Sequence, residues 1–143
     1  QVVFESDFED GIPIDGWGGV TTDVVDDTDK QSKVLEVVRS SDGDYGQFGI
    51  GGLNFSGNYT VSMKLKTSTS VGTIRLVIQY SDGYQWRQNA GFAISGFKLN
   101  LWDNTITWNV TISETADQFV IRLEDVSEAT TFYIDDLKLV KNN

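Results

Sequence analysis

The groups in this chain able to do chemistry are carboxylates, guanidiniums, amides and aromatic rings, because its 143 residues include neither histidine nor cysteine. That excludes Ser-His-Asp and Cys-His nucleophilic catalysis, imidazole and thiolate metal sites, and disulfides. Carboxylates concentrate in two places. Asp135 and Asp136 are adjacent where Phe132 and Ile134 carry one strand parity and Leu137 and Leu139 the other, so a bulge is expected between the two pairs. Adjacent carboxylates at such a break either face solvent or need compensation, which a hard cation with oxygen ligands would supply. Residues 4–11 place Glu5, Asp7, Glu9 and Asp10 around Phe4 and Phe8, a second set of oxygens or an acidic edge that discourages aggregation. Neither Asp27-Thr28-Asp29 nor Asp42-Gly43-Asp44 continues to the closing Glu of an EF-hand.

The other chemistry is sugar recognition. Ile74, Leu76, Ile78 and Tyr80 share one parity, which turns Arg75, Val77 and Gln79 to the opposite face. Asp82-Gly83 then returns the chain as Tyr84-Gln85-Trp86, and a two-residue loop sets Gln79 opposite Trp86, whereas a bulge or a three-residue loop would swap that parity. In 118–124 the inward set is Phe119, Ile121 and Leu123, leaving Val120, Arg122 and Glu124 outside. Aromatic rings stack on the apolar faces of pyranoses, while planar amide, guanidinium and carboxylate groups hydrogen-bond hydroxyls in fixed directions. Gln79, Tyr84, Trp86, Arg122 and Glu124 are therefore the candidate glycan contacts, and Trp17, Trp102 and Trp108 read as core.

The elements that must position these groups are strands. The apolar period is two almost throughout, with strands expected at 20–25, 33–39, 59–66, 73–80, 84–88, 91–94, 105–112, 118–124 and 131–140. No segment reads as a long amphipathic helix, and Asp-Gly and Ser-Gly pairs punctuate the chain at short intervals. Residues 1–143 are expected to form one all-β domain, a two-sheet antiparallel β-sandwich of jelly-roll type, with a closed barrel as the alternative.

Charge bounds the partners. Eleven Lys and Arg against 21 Asp and Glu give −10, which repels phosphate backbones and anionic lipid, so neither nucleic acid nor a membrane is an expected partner. Sulfated or uronate-rich polymers are also disfavoured unless Arg75, Arg87 and Arg122 cluster. The longest apolar runs are too short to span a bilayer, and an export signal is expected to have been removed or to lie outside these residues. Asn54, Asn58 and Asn109 open glycosylation sequons, acceptors only in a eukaryotic secretory pathway.

Taken in register, Asp7-Phe-Glu-Asp-Gly11, Gly16-Trp17, residues 32–37, residues 57–62, residues 120–124 and Phe132-Tyr-Ile-Asp-Asp-Leu137 resemble family 22 carbohydrate-binding modules, with families 4, 9 and 16 as relatives. The resemblance spans nearly the whole chain. It implies a secreted, calcium-stabilised, monomeric β-sandwich attached to a glycoside hydrolase, binding β-linked polysaccharide such as xylan or mixed-linkage β-glucan on a concave face. It implies calcium (Ca2+) at the carboxylates of Glu9 and Asp135 with carbonyls near Asp7, Lys30 and Lys33. Glu124 matches the family's cleft glutamate, Tyr45 or Phe48 falls where its first cleft tryptophan stands, Tyr84 or Trp86 near its later tyrosine, and Arg39 on a family arginine. No pair of carboxylates can be argued onto facing positions, so catalysis is not expected. A calcium-stabilised adhesive or structural domain is the alternative, favoured if the aromatics pack inward.

Overall fold

The computed structural model describes residues 2–40, 46–69, 72–81, 86–88, 91–126 and 128–142, and the side chains of all but 86–88. The strands are β1 (Val2–Ser6), β2 (Gly16–Trp17), β3 (Val20–Asp27), β4 (Ser32–Arg39), β5 (Gln47–Ile50), β6 (Phe55–Thr67), β7 (Thr73–Tyr80), β8 (Trp86–Gln88), β9 (Phe92–Ala93), β10 (Asn104–Glu124) and β11 (Thr130–Lys141). Among the described residues one 3-10 turn occurs, at Ile94–Gly96. Neighbouring strands pair antiparallel.

The strands form one continuous ladder that β10 divides into two sheets. In the first, β3, β4, β11 and β6 lie side by side and the first half of β10 pairs with β6; β1 takes the edge of β11 beyond β4. In the second, β2, β5, the second half of β10, and β7 lie side by side, with β8 and β9 sharing the far edge of β7. The inward rows of both sheets, among them Leu35, Leu65 and Ile134 from one and Phe48, Leu76 and Ile121 from the other, form a common hydrophobic core. Trp108 joins it as expected, edge-on to Phe92 at 5.5 Å between centroids.

The sequence pattern separates 105–112 from 118–124, but the two are one strand. β10 runs for 21 residues and changes partner from β6 to β5 and β7, with register shifts between Ile112 and Gln118. Ser113-Glu-Thr-Ala-Asp117 holds no glycine or proline, so the chain bends between sheets instead of turning back. β1, β2 and β5 are too short or too glycine-rich to announce themselves. At Gly49 an added Cβ would stand 2.4 Å from the Phe119 carbonyl oxygen and 2.7 Å from the Val120 Cα. Only glycine lets β5 lie that close to β10. The expected bulge is present: register slips between Asp135 and Lys138, and Asp136 has φ 51°.

Candidate functional site

The outer face of the second sheet follows from register, because residues directly opposite in an antiparallel pair share a face. One row runs Trp17, Gln47, Arg122, Arg75 across β2, β5, β10 and β7. Toward one end lie Glu124 and Thr73; toward the other come Val120 beside Val77, then Gln118, Gln79 and Trp86. Val77 and Val120 are fully buried without belonging to the inter-sheet core. They lie covered between the polar rows. The expected pairing of Gln79 with Trp86 is realised, and Arg122 with Glu124 shares that face.

Glu124 is held by both neighbouring guanidiniums. Arg75 donates from Nε to Oε1 at 2.7 Å, and Arg122 Nη1 lies 3.7 Å from Oε2. Arg122 Nε donates to Gln47 Oε1 at 3.2 Å. Arg75 and Arg122 stand directly opposite each other, a repulsive arrangement that the shared carboxylate offsets. Arg75 and Arg122 are brought together here; of Arg87 the backbone pairing with Ile78 alone is described.

Arg39 lies beneath this network. It is 4% exposed; Nε donates to the Leu123 carbonyl at 3.0 Å, and Nη1 to those of Ser40 at 2.8 Å and Val126 at 3.5 Å. Its contacts hold the segment on either side of Glu124, a positioning role in place of the ligand contact the resemblance implied. Phe48, one of two positions offered for the first cleft tryptophan, is fully buried in the core. Tyr45 and Tyr84 lie outside the described residues, and of Trp86 the backbone pairing alone is described.

The first sheet presents a different chemistry on its outer side. Asp135 is 3% exposed; its Oδ2 accepts from Lys30 Nζ at 2.5 Å and its Oδ1 from the Asp136 N–H at 2.9 Å. Asp27, 6% exposed, accepts from Lys66 Nζ at 2.5 Å and from the Lys30 N–H at 3.0 Å. Burial pushes the Asp135 carboxyl above the usual range despite Lys30. Burial acts the same way on Asp27, but Lys66, the Lys30 N–H and the Trp102 indole outweigh it and hold the group below that range. The Trp102 ring lies 4.8 Å from Lys30 Nζ and 5.6 Å from Lys66 Nζ, and its N–H reaches Asp27 Oδ1 at 3.3 Å. Trp102 is thus half-buried over two ammonium groups, not in the core where the sequence reading put it. Buried Asn104 fixes its loop: Nδ2 donates to the Lys98 and Leu101 carbonyls, and Oδ1 accepts from the Lys98 N–H.

Both carboxylates expected to hold calcium meet the turn between β3 and β4. Glu9 Oε1 accepts from the Lys33 N–H at 2.8 Å, and Asp135 engages Lys30. No group of three or more acidic, histidine or cysteine side chains able to hold a metal occurs among the described residues. Backbone oxygens would have to complete the set. The oxygen-only chemistry and the buried carboxylate fit a hard cation, and Lys30 Nζ already compensates Asp135.

No protein-family model matches the chain, and no curated protein matches it in sequence. Solved structures do. The CBM22-1 xylan-binding domain of Paenibacillus barcinonensis Xyn10C superposes with a TM-score of 0.69 at 15% identity, over 100% of this chain and 97% of that one. The CBM22-1 and GH10 modules of Clostridium thermocellum xylanase 10B, complexed with xylohexaose, match with 0.69 at 16% identity over 100% of this chain. This chain spans 29% of that xylanase chain. A family 16 carbohydrate-binding module matches with 0.62 at 18% identity, over 99% of this chain and 100% of that one. At these identities the likeness is one of fold, and the fold is the β-sandwich of family 22 carbohydrate-binding modules.

Proposed function

We propose that the chain is a non-catalytic carbohydrate-binding module that holds a β-linked glycan chain on the outer face of its second sheet. The observation that carries this reading is the Arg75–Glu124–Arg122–Gln47 network, a preorganised row of planar hydrogen-bonding groups on a sheet face with tryptophan in line with it. Such groups match sugar hydroxyls in direction. Glu124 is the one carboxylate in those described rows, whereas glycoside hydrolysis uses a pair. Xylan or mixed-linkage β-glucan is the ligand class, by analogy with the xylan-binding neighbour and the xylohexaose complex. The same analogy supports attachment to a secreted glycoside hydrolase, with the module monomeric.

Calcium belongs to this proposal as a structural ion. Glu9 and Asp135, with carbonyls near Asp7, Lys30 and Lys33, would hold it on the first sheet, away from the glycan face, and Lys30 would have to release Asp135. Its chemistry there is charge compensation of buried carboxylate.

Affinity gel electrophoresis in soluble xylan and β-glucan tests the binding reading. Wild type should be retarded, and Trp86→Ala and Glu124→Ala, each shown to be folded, should be retarded less. Equal retardation of all three moves the binding face elsewhere. Prolonged incubation with either polymer should release no reducing ends.

A further inference from the structure

We infer that Trp17 is an aromatic platform of the glycan face, at the edge opposite Trp86. This deepens the proposed binding reading and rests on it. The argument is one of register. β2 has two residues, and Gly16 pairs with Phe48 while Trp17 pairs with Gln47. Phe48 points into the core with no exposure, so Gly16 shares that inward face and the neighbouring pair, Trp17 with Gln47, lies on the outer one, where Gln47 bonds Arg122. Trp17 therefore shares the outer face and closes the row that runs through Gln47 and Arg122 to Arg75.

Its exposure agrees. Trp17 is partly exposed, unlike Trp108, whose ring is sealed in the core. Gly16 explains why so short a strand can sit there: an added Cβ would stand 2.7 Å from Val20 Cγ1, so glycine alone lets β2 close against β3 and lay Trp17 over β5. A side chain whose only task was core packing would occupy the position of Gly16, not its neighbour.

The geometry sets the size of the site. From β2 to β8 the face crosses five strands, about 19 Å, and Trp17 and Trp86 lie four residues apart along β10, about 14 Å. The two tryptophan backbones are thus about 23 Å apart on a diagonal, with Glu124 and Arg122 nearer Trp17. A chain that reaches across this diagonal meets a ring at each end. A short oligosaccharide meets one.

Calorimetric titration of the full chain with soluble xylan, mixed-linkage β-glucan and xylo-oligosaccharides of increasing length tests this. Trp17→Ala should weaken polysaccharide binding about tenfold, as loss of a stacking ring does, with a penalty that grows with oligosaccharide length. Thermal midpoints should stay close to wild type, because β2 is a two-residue edge. If wild type binds and Trp86→Ala or Glu124→Ala weakens it while Trp17→Ala does not, the Trp17 platform is refuted and the face stands. An equal penalty at every length also refutes it, since a general structural effect would not scale with chain length. If wild type binds none of these glycans, the face itself fails and Trp17 with it. Should Trp17→Ala not fold, the wild-type indole N–H resonance, assigned with Trp17→Phe, must shift on adding xylohexaose; no shift refutes the proposal.

Discussion

Replacing Arg39 by methionine removes a buried guanidinium while keeping most of its stem, and the structure sets the cost. The two shorter bonds, 3.0 Å to Leu123 and 2.8 Å to Ser40, each link a cation to a carbonyl, and such bonds contribute about 1.5 to 3 kcal/mol. Relief of guanidinium desolvation offsets the upper part of that range, leaving about 3 kcal/mol. For 143 residues the unfolding entropy is about 0.3 kcal/mol/K, so the melting midpoint should fall by about 10 °C with the domain still folded at room temperature. Binding should suffer as well, although Arg39 is too buried to touch sugar, because the carbonyls of Leu123 and Val126 anchor the chain on both sides of Glu124. If that anchoring supports one charge-assisted bond to ligand, affinity falls about tenfold. Calorimetry gives the stability, and titration with soluble xylan well below the midpoint gives the affinity. A midpoint within 2 °C of wild type refutes the burial argument. An unchanged midpoint with lost binding would restore Arg39 as a direct contact, and a lowered midpoint with full affinity would show that Glu124 needs no anchor.

Three further outcomes are expected. Gly46→Ala should resemble Arg39→Met in a calorimeter, because the new Cβ would meet Arg39 Nε at 2.7 Å; wild-type stability would show that the guanidinium shifts freely. Lys66→Met breaks the buried pair with Asp27 at a cost of about 3 kcal/mol. The folded Asp27 lies below its ordinary 3.8 and the folded Lys66 above its ordinary 10.5, so this contribution is full between those values. It is lost as pH falls through the folded Asp27 value or rises through the folded Lys66 value; thermal scans of both proteins should converge at those extremes, and a constant gap would contradict the linkage. Lastly, EDTA should lower the wild-type midpoint if calcium occupies Glu9 and Asp135, and more so in Lys30→Met, which has no ammonium to take the ion's place; equal shifts would show that Lys30 does not compete.

The outer face was legible where alternation is long and clean. Ile74 through Tyr80 and Phe119 through Leu123 set the parity of Gln79, Arg122 and Glu124, and the turn expected at Asp82-Gly83 gives Trp86 the partner it has. Asp135-Asp136 declared its bulge because two apolar pairs of opposite parity flank it. Trp17 and Trp102 were misplaced for a shared reason. Each lies in or beside a segment too short to show a period, so its direction depends on which strand it pairs with or which loop carries it, and neither is written in nearby residues. Arg39 shows the complementary limit: alternation put it at a strand end, but its burial comes from Gly46 and from carbonyls more than eighty residues away.

Because β10 belongs to both sheets, neither sheet can be completed without ordering part of the other. Its first half closes against β6 and its second against β5 and β7, all earlier in the chain, so the strand can nucleate neither half from local contacts alone. Folding should therefore be slow for a domain of this size and cooperative across the sandwich, without a stable single-sheet intermediate. Amide exchange in the two halves of β10 should report the same global opening, and the bend at 113–117 should exchange faster through local fraying. The strand that carries Glu124 to the proposed binding face is thus the one the domain can least release without coming apart.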